Sequence, residues 1–395
     1  MTLSRRKPDV CGFLPPHMLR SIAENSDDAM QRENAHGALE LSAQLRGARG
    51  AVGKSLAEAE GLLAPVAMRR NVYDAQRRTG LPGKLIRAEG AKANGDVAAG
   101  EAYDGAGRTY DFYAKVYGRH SVDGQGLALD SSVHYGVHYA NALWNGRQMI
   151  YGDGDGKLFD RFTKSLDIIG HELTHGVTQH TAALVYQDQS GALNESFSDV
   201  FGILVKQYFL KQSAAKSDWL IGAGIFSTAV HGAAVRSMKA PGTAYDDKLL
   251  GKDPQPGHMK DYRKLTADNG GVHVNSGIPN RAFYLAATLI GGNAWNIAGR
   301  IWYDALTTRL KPRATFRDCA RATADAAAAR YGANSEPQRA VVEAWKEVGI
   351  DLTAVATTGP KLVIAADANF QPPIAAAELP SLDAFHAPRR RREAK

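Results

Sequence analysis

The chain has 395 residues, of which 44% are hydrophobic and 23% charged, and it carries a formal net charge of +7. This length is too great for one small core, and the apolar share is normal for a soluble globular protein of two or three folded units. Two cysteines, Cys11 and Cys319, exclude a disulfide framework, and no apolar run approaches the roughly 20 residues of a membrane span.

The positive charge is concentrated at the two ends, in RRK at 5–7 and RRRR at 389–392. No aromatic residues interleave with these arginines, as a stacking surface for single strands would require. We therefore expect solvated tails and no nucleic-acid partner. The N-terminus lacks the apolar core of a secretory signal peptide, so we expect a cytoplasmic protein or one secreted by a non-classical route.

Helical signals begin close to the N-terminus. Residues 14–24 predict a proline-initiated helix, and residues 28–46 predict a second one. The glycine-bearing segment 47–54 follows and indicates an exposed linker. We assign residues 1–50 to a small helical unit and residues 51–69 to the linker.

Turn signals dominate from about 70 to 150. LPGK, NGD, DGAG and DGQG separate short mixed runs, which predicts a β-rich region. From 164 to 210 the apolar residues step by three or four positions, which predicts helices. Further helices are predicted at 276–292, 294–310, 314–331 and 335–347. The tail, 352–395, has no clear period.

The sequence HELTH at 171–175 fits the pattern HExxH. On a helix, positions i and i+4 share a face, so His171 and His175 can bind one metal ion. Glu172 then lies beside the open coordination position, where it can take a proton from water. A catalytic zinc ion needs a third protein ligand.

His180 fails as that third ligand. It lies nine positions beyond His171 (180 − 171), on the opposite face of a regular helix. The three-histidine pattern HExxHxxGxxH needs Gly and His where this chain has Thr178 and Thr181. We expect His180 to be an ordinary surface or packing residue.

The missing ligand is expected downstream, in NESFSD. Glu195 lies on a second amphipathic helix, and the intervening chain is long enough to turn and return a carboxylate to the metal. Asp199, one helical turn further on, can orient a ligand imidazole. The alternative interpretation of NESFSD is an acidic helix N-terminus.

Together, these motifs resemble the thermolysin family of zinc endopeptidases. The similarity runs almost continuously from 70 to 350 and includes NALWNG, MIYGDGDG, RSM and DNGGVHVNSGIPNRAFY. The front unit, with CGFLPPHMLRSIA, resembles the short propeptide of the protealysin branch. The resemblance implies an α+β, two-domain fold with the active site in the cleft between the domains. Its parts are a propeptide at 1–50, a β-rich domain at 70–185 that ends in the HExxH helix, and a helical domain at 186–351.

The resemblance also implies a role for each matched residue. One zinc ion is bound by His171, His175 and Glu195. The residues that hold these ligands in place are Asn194 and Asp199. Glu172 is the general base, and the other catalytic residues are His273, oriented by Asp268, then Tyr186 and Arg236. The residues that bind substrate are Asn141, Ala142, Phe159, Phe162, Ile168, Ile221 and Val235.

The apolar members of the substrate-binding set predict specificity. Burying a Leu- or Phe-sized side chain among them contributes about 1.5–3 kcal/mol. We expect hydrolysis on the N-terminal side of bulky hydrophobic residues in proteins or peptides. The alternative is that these residues simply form part of the core.

The chain departs from the family where thermolysin binds calcium. Asp167 and Asp218 remain, but non-acidic residues stand at other ligand positions, namely Lys206, Leu220, Ala223 and Ala233. A calcium ion needs six to eight oxygen ligands, several of them charged. We expect calcium sites to be absent or reduced, with the ammonium of Lys206 replacing a cation beside Asp167 or Asp218.

The preferred hypothesis is a zinc endopeptidase made as a precursor, inhibited by its own propeptide and self-cleaved within about 41–66. One alternative is an inactive zinc-stabilised protein-binding module, and another is a zinc hydrolase of a different fold. Cys11 allows a further hypothesis, in which its thiolate occupies the open zinc position. A small buried residue that docks the propeptide is the simpler interpretation of Cys11.

Overall fold

The structure is a computed structural model that describes residues 12–52 and 67–352. Cys11, the segment 53–66 and the tail beyond residue 352 lie outside the described residues, as do the predictions made on them.

Two helices form the N-terminal part. Helix α1 spans Pro16–Asn25, with proline in its first turn as predicted, and α2 spans Ala29–Val52. The side chain of Asp28 accepts the backbone N–H of Met30 at 2.9 Å and so caps the start of α2. Helix α2 continues to Val52, beyond the predicted end at 46 and into the segment assigned to the linker.

A five-stranded mixed sheet follows, in the order β2-β1-β3-β5-β4. The strands are β1 (Arg70–Asp74), β2 (Lys84–Arg87), β3 (Leu129–Val133), β4 (Ala142–Trp144) and β5 (Met149–Tyr151). The pairs β1–β3 and β3–β5 are parallel, while β1–β2 and β4–β5 are antiparallel. Because β4 is an edge strand, one side of its backbone can accept a further strand.

The description of 70–150 as β-rich needs a correction, because its longest element is a helix. Helix α3 spans Val97–Tyr117 and contains the sequence DGAG, which we interpreted as a turn. Gly105 in that sequence faces helix α4 (Leu166–Gln179), and a Cβ atom at Gly105 would lie 2.3 Å from Ile169 Cδ1. The glycine therefore permits close helix packing rather than a turn.

Of the remaining helices, all but the one at Asp268–Asn275 lie where a helix is predicted. The remaining helices are α5 (Asp188–Leu210), α6 (Asp268–Asn275), α7 (Gly277–Ile290), α8 (Ala298–Thr308), α9 (Phe316–Tyr331) and α10 (Glu336–Glu347). Two short antiparallel strand pairs lie between α5 and α6. They are formed by β6 (Leu220–Ile221) with β7 (Arg236–Ser237) and by β8 (Asp246–Asp247) with β9 (Gly251–Lys252). Within residues 12–52 and 67–352, no helix has the length and apolarity to span a membrane.

Helices α4 and α5 pack closely enough to share a site between them. A Cβ atom at Gly202 of α5 would lie 2.5 Å from the carbonyl oxygen of Asp167 on α4. Only glycine allows this approach, so the side chains of the two helices meet across a short gap. Most of α4 from Asp167 to Thr178 is buried.

Candidate active site

Helices α4 and α5 bring imidazole and carboxylate groups together. His171 and His175 are buried one turn apart on α4, with their Nε2 atoms 3.1 Å from each other. The carboxylate of Glu195 on α5 lies 3.6 Å from Nε2 of His171 and 3.4 Å from Nε2 of His175. The ligand atoms of His171, Glu172 and His175 also lie within 4.8 Å of one another. Two carboxylates thus compete for the role of third metal ligand.

The two carboxylates differ in their surroundings. Oε2 of Glu172 accepts the backbone N–H of Trp144 at 2.8 Å, so strand β4 holds this side chain to one side of the histidines. Oε2 of Glu195 lies among the histidines, 3.6 Å from Nε2 of His171 and 3.7 Å from Nε2 of His273. Burial raises the pKa of Glu195, but neighbouring positive groups, of which His273 contributes most, hold it well below its usual range. Glu195 is therefore an ionised carboxylate that lies close to both Nε2 atoms.

Each histidine of α4 is oriented through its Nδ1 atom. Nδ1 of His171 lies 2.8 Å from Oδ1 of Asp199, and Nδ1 of His175 lies 2.8 Å from Oδ1 of Asn194 and 3.1 Å from Oγ of Ser198. Because Asp199 and Asn194 accept hydrogen bonds from the Nδ1–H groups, both Nε2 atoms carry lone pairs, and these face each other. Two such atoms at 3.1 Å fit a cation between them, and two imidazoles with a carboxylate suit zinc.

A third histidine approaches the same site from α6. Nε2 of His273 lies 3.7 Å from Oε2 of Glu195 and 3.3 Å from the carbonyl oxygen of Gly12. Asp268 accepts the Nδ1–H of His273 at 2.6 Å and its backbone N–H at 3.0 Å. Burial lowers the pKa of His273, but Asp268 and Glu195 outweigh it and raise the pKa. The protonated ring can donate at Nε2.

Tyr186 points toward the same carboxylate. Its hydroxyl donates to Oε1 of Glu195 at 2.6 Å, and its ring lies 6.5 Å from that of His273. Tyr186, the predicted donor to the oxyanion, thus lies beside the site and is hydrogen-bonded to Glu195.

Arg236 on β7 connects the site to the cleft. Its Nε and Nη2 donate to the two oxygens of Asp199 at 2.9 and 2.8 Å, and its Nη1 donates to the carbonyl oxygen of Phe13 at 3.1 Å. Asn280 donates to the same carboxylate at 2.8 Å. Burial raises the pKa of Asp199, but Arg236 and the hydrogen bond from His171 hold it well below its usual range. Asp199 therefore positions an imidazole and a guanidinium at once.

Residues Gly12, Phe13 and Leu14, which we call the cleft segment, lie along the edge of the sheet. The backbone N–H of Phe13 donates to the carbonyl oxygen of Ala142 at 2.9 Å. The N–H of Leu14 donates to Oδ1 of Asn141, also at 2.9 Å. The cleft segment thus lies against the edge of β4 through one backbone hydrogen bond to Ala142 and one to the side chain of Asn141, and peptides commonly bind along exposed sheet edges.

The side chain of Phe13 fills an apolar pocket and is 0% exposed. Its ring lies edge-on to His171, at 5.4 Å between centroids, and 6.5 Å from Phe162. A Cβ atom at Gly222 would lie 2.9 Å from the Phe13 ring and 3.1 Å from Val235. The predicted pocket residues are all buried, namely Phe159, Phe162, Ile168, Ile221 and Val235.

Lys206 lies where the chain departs from the calcium-binding pattern. Its Nζ is 3.1 Å from both carboxylate oxygens of Asp218, 3.1 Å from the carbonyl oxygen of Leu220 and 3.5 Å from Oδ2 of Asp167. An ammonium group thus occupies the centre of this cluster of oxygens.

Sequence reasoning missed several members of the site. Ser198 and Asn280 were not singled out, although both lie in quoted motifs, and the cleft segment was not placed. The signal for the segment was two apolar residues before Pro15, where the chain is biased toward an extended backbone. His180 ends α4 and is exposed, away from the metal ligands. Cys319 is a buried free cysteine of α9.

Comparison with known proteins agrees with this geometry. Two family models match, "Thermolysin metallopeptidase, catalytic domain" at 63–179 and "Thermolysin metallopeptidase, alpha-helical domain" at 182–350. An "Extracellular metalloprotease" of Pectobacterium carotovorum subsp. carotovorum is 49% identical, over 87% of this chain and 97% of the relative. "Protease PrtS" of Photorhabdus sp. (strain Az29) is 45% identical, over 86% of this chain and 92% of the relative.

A solved structure gives the same result. The "Precursor of Protealysin, Metalloproteinase from Serratia proteamaculans" matches with a TM-score of 0.77 and 51% identity, over 86% of this chain and 99% of that one. The match confirms the predicted α+β fold with a sheet-containing catalytic domain and a helical domain. It also extends into the N-terminal part of this chain. The chain is a peptide-bond hydrolase and belongs to the thermolysin family of metallopeptidases, on its protealysin-like side.

Proposed function

We propose that this protein is a zinc-dependent endopeptidase made as a self-processed precursor, and that it hydrolyses peptide bonds on the N-terminal side of bulky hydrophobic residues. The observation that carries the proposal is the cleft segment. An aromatic side chain of the protein itself fills a pocket beside His171, while its backbone N–H donates to the edge strand β4 at Ala142. The site therefore accepts an extended peptide with a large apolar residue.

We assign the zinc ligands as His171, His175 and Glu195. Glu195 is preferred to Glu172 because its carboxylate lies 3.6 and 3.4 Å from the Nε2 atoms of His171 and His175, whereas the backbone N–H of Trp144 holds Glu172 to one side. A bound zinc ion would polarise the substrate carbonyl and lower the pKa of the attacking water.

The protein groups perform the remaining steps. Glu172 takes a proton from the attacking water and delivers it to the leaving nitrogen. His273, protonated and held by Asp268, donates to the oxygen on which negative charge develops, with Tyr186 as a second donor. Preorganised donors of this kind typically contribute about 3 kcal/mol each to lowering the barrier.

Other residues fix the substrate. Arg236 binds the carbonyl of the residue after the scissile bond, as it binds Phe13, and Asn141 and Ala142 align the backbone. Phe162 and Val235, with Phe159, Ile168 and Ile221, form the pocket for the residue that follows the cleavage point. Holding the peptide in this geometry lowers the entropic part of the barrier.

We further propose that residues 1–50 act as an intramolecular inhibitor and that a cut within about 41–66 releases them. The support is that the cleft segment occupies the place of substrate. The name of the Pectobacterium relative supports a role outside the cell, and immunodetection of the mature chain in culture medium and cell lysate would test it.

The proposed function is tested by comparing the wild-type chain with Glu172→Ala on casein, while intact mass follows processing. A matched control is Glu347→Ala, at an exposed position of α10. We expect Glu172→Ala to lose roughly three or more orders of magnitude in kcat and to stay unprocessed, and the control to match wild type. Zinc-bound wild type that does not hydrolyse casein would favour the inactive binding module, and processing by Glu172→Ala would exclude self-cleavage.

A further inference from the structure

The direction of the cleft segment is the starting point. From Gly12 to Leu14 the chain runs from His273 toward Asn141. The carbonyl oxygen of Gly12 faces His273, and the N–H of Phe13 is held by Ala142. Both ends of one peptide bond, Gly12–Phe13, are thus contacted by separate parts of the site.

The flanking contacts repeat those expected for a substrate. Arg236 donates to the carbonyl oxygen of Phe13, and the guanidinium lies 4.5 Å from the centre of its ring. The Phe13 ring packs on His171, a proposed metal ligand, which places the bond before it beside the metal site. After Leu14 the chain leaves the cleft, since Pro15 precedes the first turn of α1.

Gly12 fits closely against the strand edge. A Cβ atom at Gly12 would lie 2.4 Å from Nδ2 and 2.8 Å from Cγ of Asn141. Any larger residue must therefore move Asn141, which aligns Leu14, or move the Gly12 carbonyl. The absence of a side chain at Gly12 thus allows its backbone to lie close to the side chain of Asn141.

We propose that Gly12–Phe13 is a self-cleavage site, hydrolysed within the same chain and distinct from the cut in 41–66. The inference rests on the proposed function. The water oxygen bonds to the carbonyl carbon of Gly12, and the bond to the nitrogen of Phe13 breaks. One water proton passes through Glu172 to that nitrogen, which gives a carboxylate at Gly12 and an amine at Phe13.

This cut alone does not free the cleft. Phe13 remains in its pocket, and α1 and α2 keep their own contacts with the rest of the protein. His17 is bonded to the hydroxyl of Tyr245 at 2.8 Å, and Ser42 to that of Tyr139 at 2.9 Å. The product is a chain that starts at Phe13 and is still inhibited.

The test incubates the zinc-loaded, full-length protein and identifies new N-termini by mass spectrometry at several protein concentrations. We expect a species that starts at Phe13, absent from Glu172→Ala, which forms at a rate independent of concentration. Casein hydrolysis and linker processing with an intact Gly12–Phe13 bond would overturn this inference and leave the proposed function standing. A rate proportional to concentration would overturn cleavage within one chain. Zinc-bound protein with no hydrolysis of any kind would overturn both.

Matched glycine variants test the geometry. Gly12→Ala should slow formation of the Phe13 terminus by roughly tenfold to a hundredfold, because the reacting carbonyl is displaced. Gly37→Ala, on α2 with no atom within 4 Å of the added Cβ, should leave it unchanged. Equal rates in the two variants would contradict the proposal.

Hydrogen exchange supplies a readout that needs no turnover. In the full-length Glu172→Ala protein, the amides of Phe13 and Leu14 should exchange slowly because Ala142 and Asn141 accept them. Adding Gly12→Ala to that protein should speed their exchange, and adding Gly37→Ala should not. Unprotected amides in Glu172→Ala would show that the segment does not occupy the site.

Discussion

At the scale of single residues, the depth of the pocket that holds Phe13 depends on Gly222, which has no Cβ atom. Gly222 has φ +70°, a backbone conformation that glycine adopts at little cost, and a Cβ atom there would lie 2.9 Å from the Phe13 ring. The backbone of Gly222 also donates to the buried carboxylate of Asp167 at 3.2 Å, which fixes its position. The pocket is thus deep enough for an aromatic ring because this position lacks a side chain.

Gly222→Ala should therefore shift specificity from phenylalanine toward leucine after the scissile bond. We expect the kcat/KM ratio of Phe to Leu substrates to fall about tenfold or more, since one methyl group in an apolar pocket is worth about 1–3 kcal/mol. Gly224→Ala is the matched control, because Gly224 also has positive φ but no atom within 4 Å of the added Cβ. An unchanged ratio in Gly222→Ala, measured with paired peptides, would contradict the role of Gly222.

At the scale of elements, the docking of α1 involves His17, whose burial disfavours the charged form of its ring. Burial lowers the pKa of His17 to about 4; Asp268 opposes this, while His273, Arg20 and Arg236 contribute to it. Nδ1 of His17 has no hydrogen-bond partner among the described residues. The neutral ring is therefore the form that fits against Tyr245.

The docking of α1 should weaken with acid. His17 binds a proton near pH 6.5 when α1 is released and near pH 4 when it is docked, so docking is strongest above pH 6.5 and weakens as pH falls toward 4. We expect a loss of about 2 kcal/mol, after allowance for partial exposure. The measurement is hydrogen exchange of residues 16–25 in the full-length Glu172→Ala protein, corrected for intrinsic rates.

His17→Gln should remove this part of the pH dependence. The matched control is His36→Gln, at an exposed position of α2, which should behave as the parent does. The same acid loosening of α1 in His17→Gln and in the parent would show that other groups are responsible.

The elements also show what sequence can and cannot predict. Helices α4 and α5 were predictable because their apolar residues follow the helical period, and HELTH fixed the face of α4 that carries the ligands. Helix α6, which carries His273, was not predicted, since Asn269, Gly270 and Gly271 within it have positive φ. Helix α3 was missed because DGAG looks locally like a turn, although Gly105 in it packs against Ile169. The end of α2 was missed because GARGAV also contains glycine. The error at α3 comes from tertiary packing, which local patterns do not contain.

The same reasoning applies to the site. The side chains that the structure brings together from HELTH and NESFSD could be named in advance, because metal binding restricts both residue type and spacing. The cleft segment was not placed, because its contacts with Ala142 and Asn141 are made more than a hundred residues along the chain (141 − 14 = 127). No local pattern encodes a contact of that range.

At the scale of the whole molecule, the ammonium group of Lys206 on α5 connects this helix to the start of α4, through Asp167, and to strand β6, through the carbonyl oxygen of Leu220. Asp167 is 0% exposed, so its charge is costly unless a cation lies near. The ammonium of Lys206 supplies that charge without a metal. We propose that it replaces calcium as the cation that holds these elements together.

Lys206→Glu should destabilise the protein by about 3 kcal/mol or more in EDTA, because three carboxylates then converge with no cation among them. Calcium should restore part of the melting temperature in this variant and have little effect on wild type. Lys346→Glu, at an exposed position of α10, controls for net charge. A wild-type protein that unfolds in EDTA-treated, zinc-repleted buffer and gains strongly from calcium would refute the replacement.

The carboxylate of Asp199 has a consequence for zinc retention. This carboxylate accepts hydrogen bonds from His171, which we assign as a metal ligand, and from Arg236. Arg236 in turn donates to the carbonyl oxygen of the peptide in the cleft. The metal ligand His171 and the peptide-binding Arg236 therefore share Asp199 as their hydrogen-bond acceptor. If a bound peptide changes the affinity for zinc by some factor, zinc changes the affinity for the peptide by the same factor. A chain whose cleft is filled by Phe13 and one whose cleft is empty should lose zinc to a chelator at different rates. The rate of chelation thus becomes a measure of how often the cleft segment leaves its place.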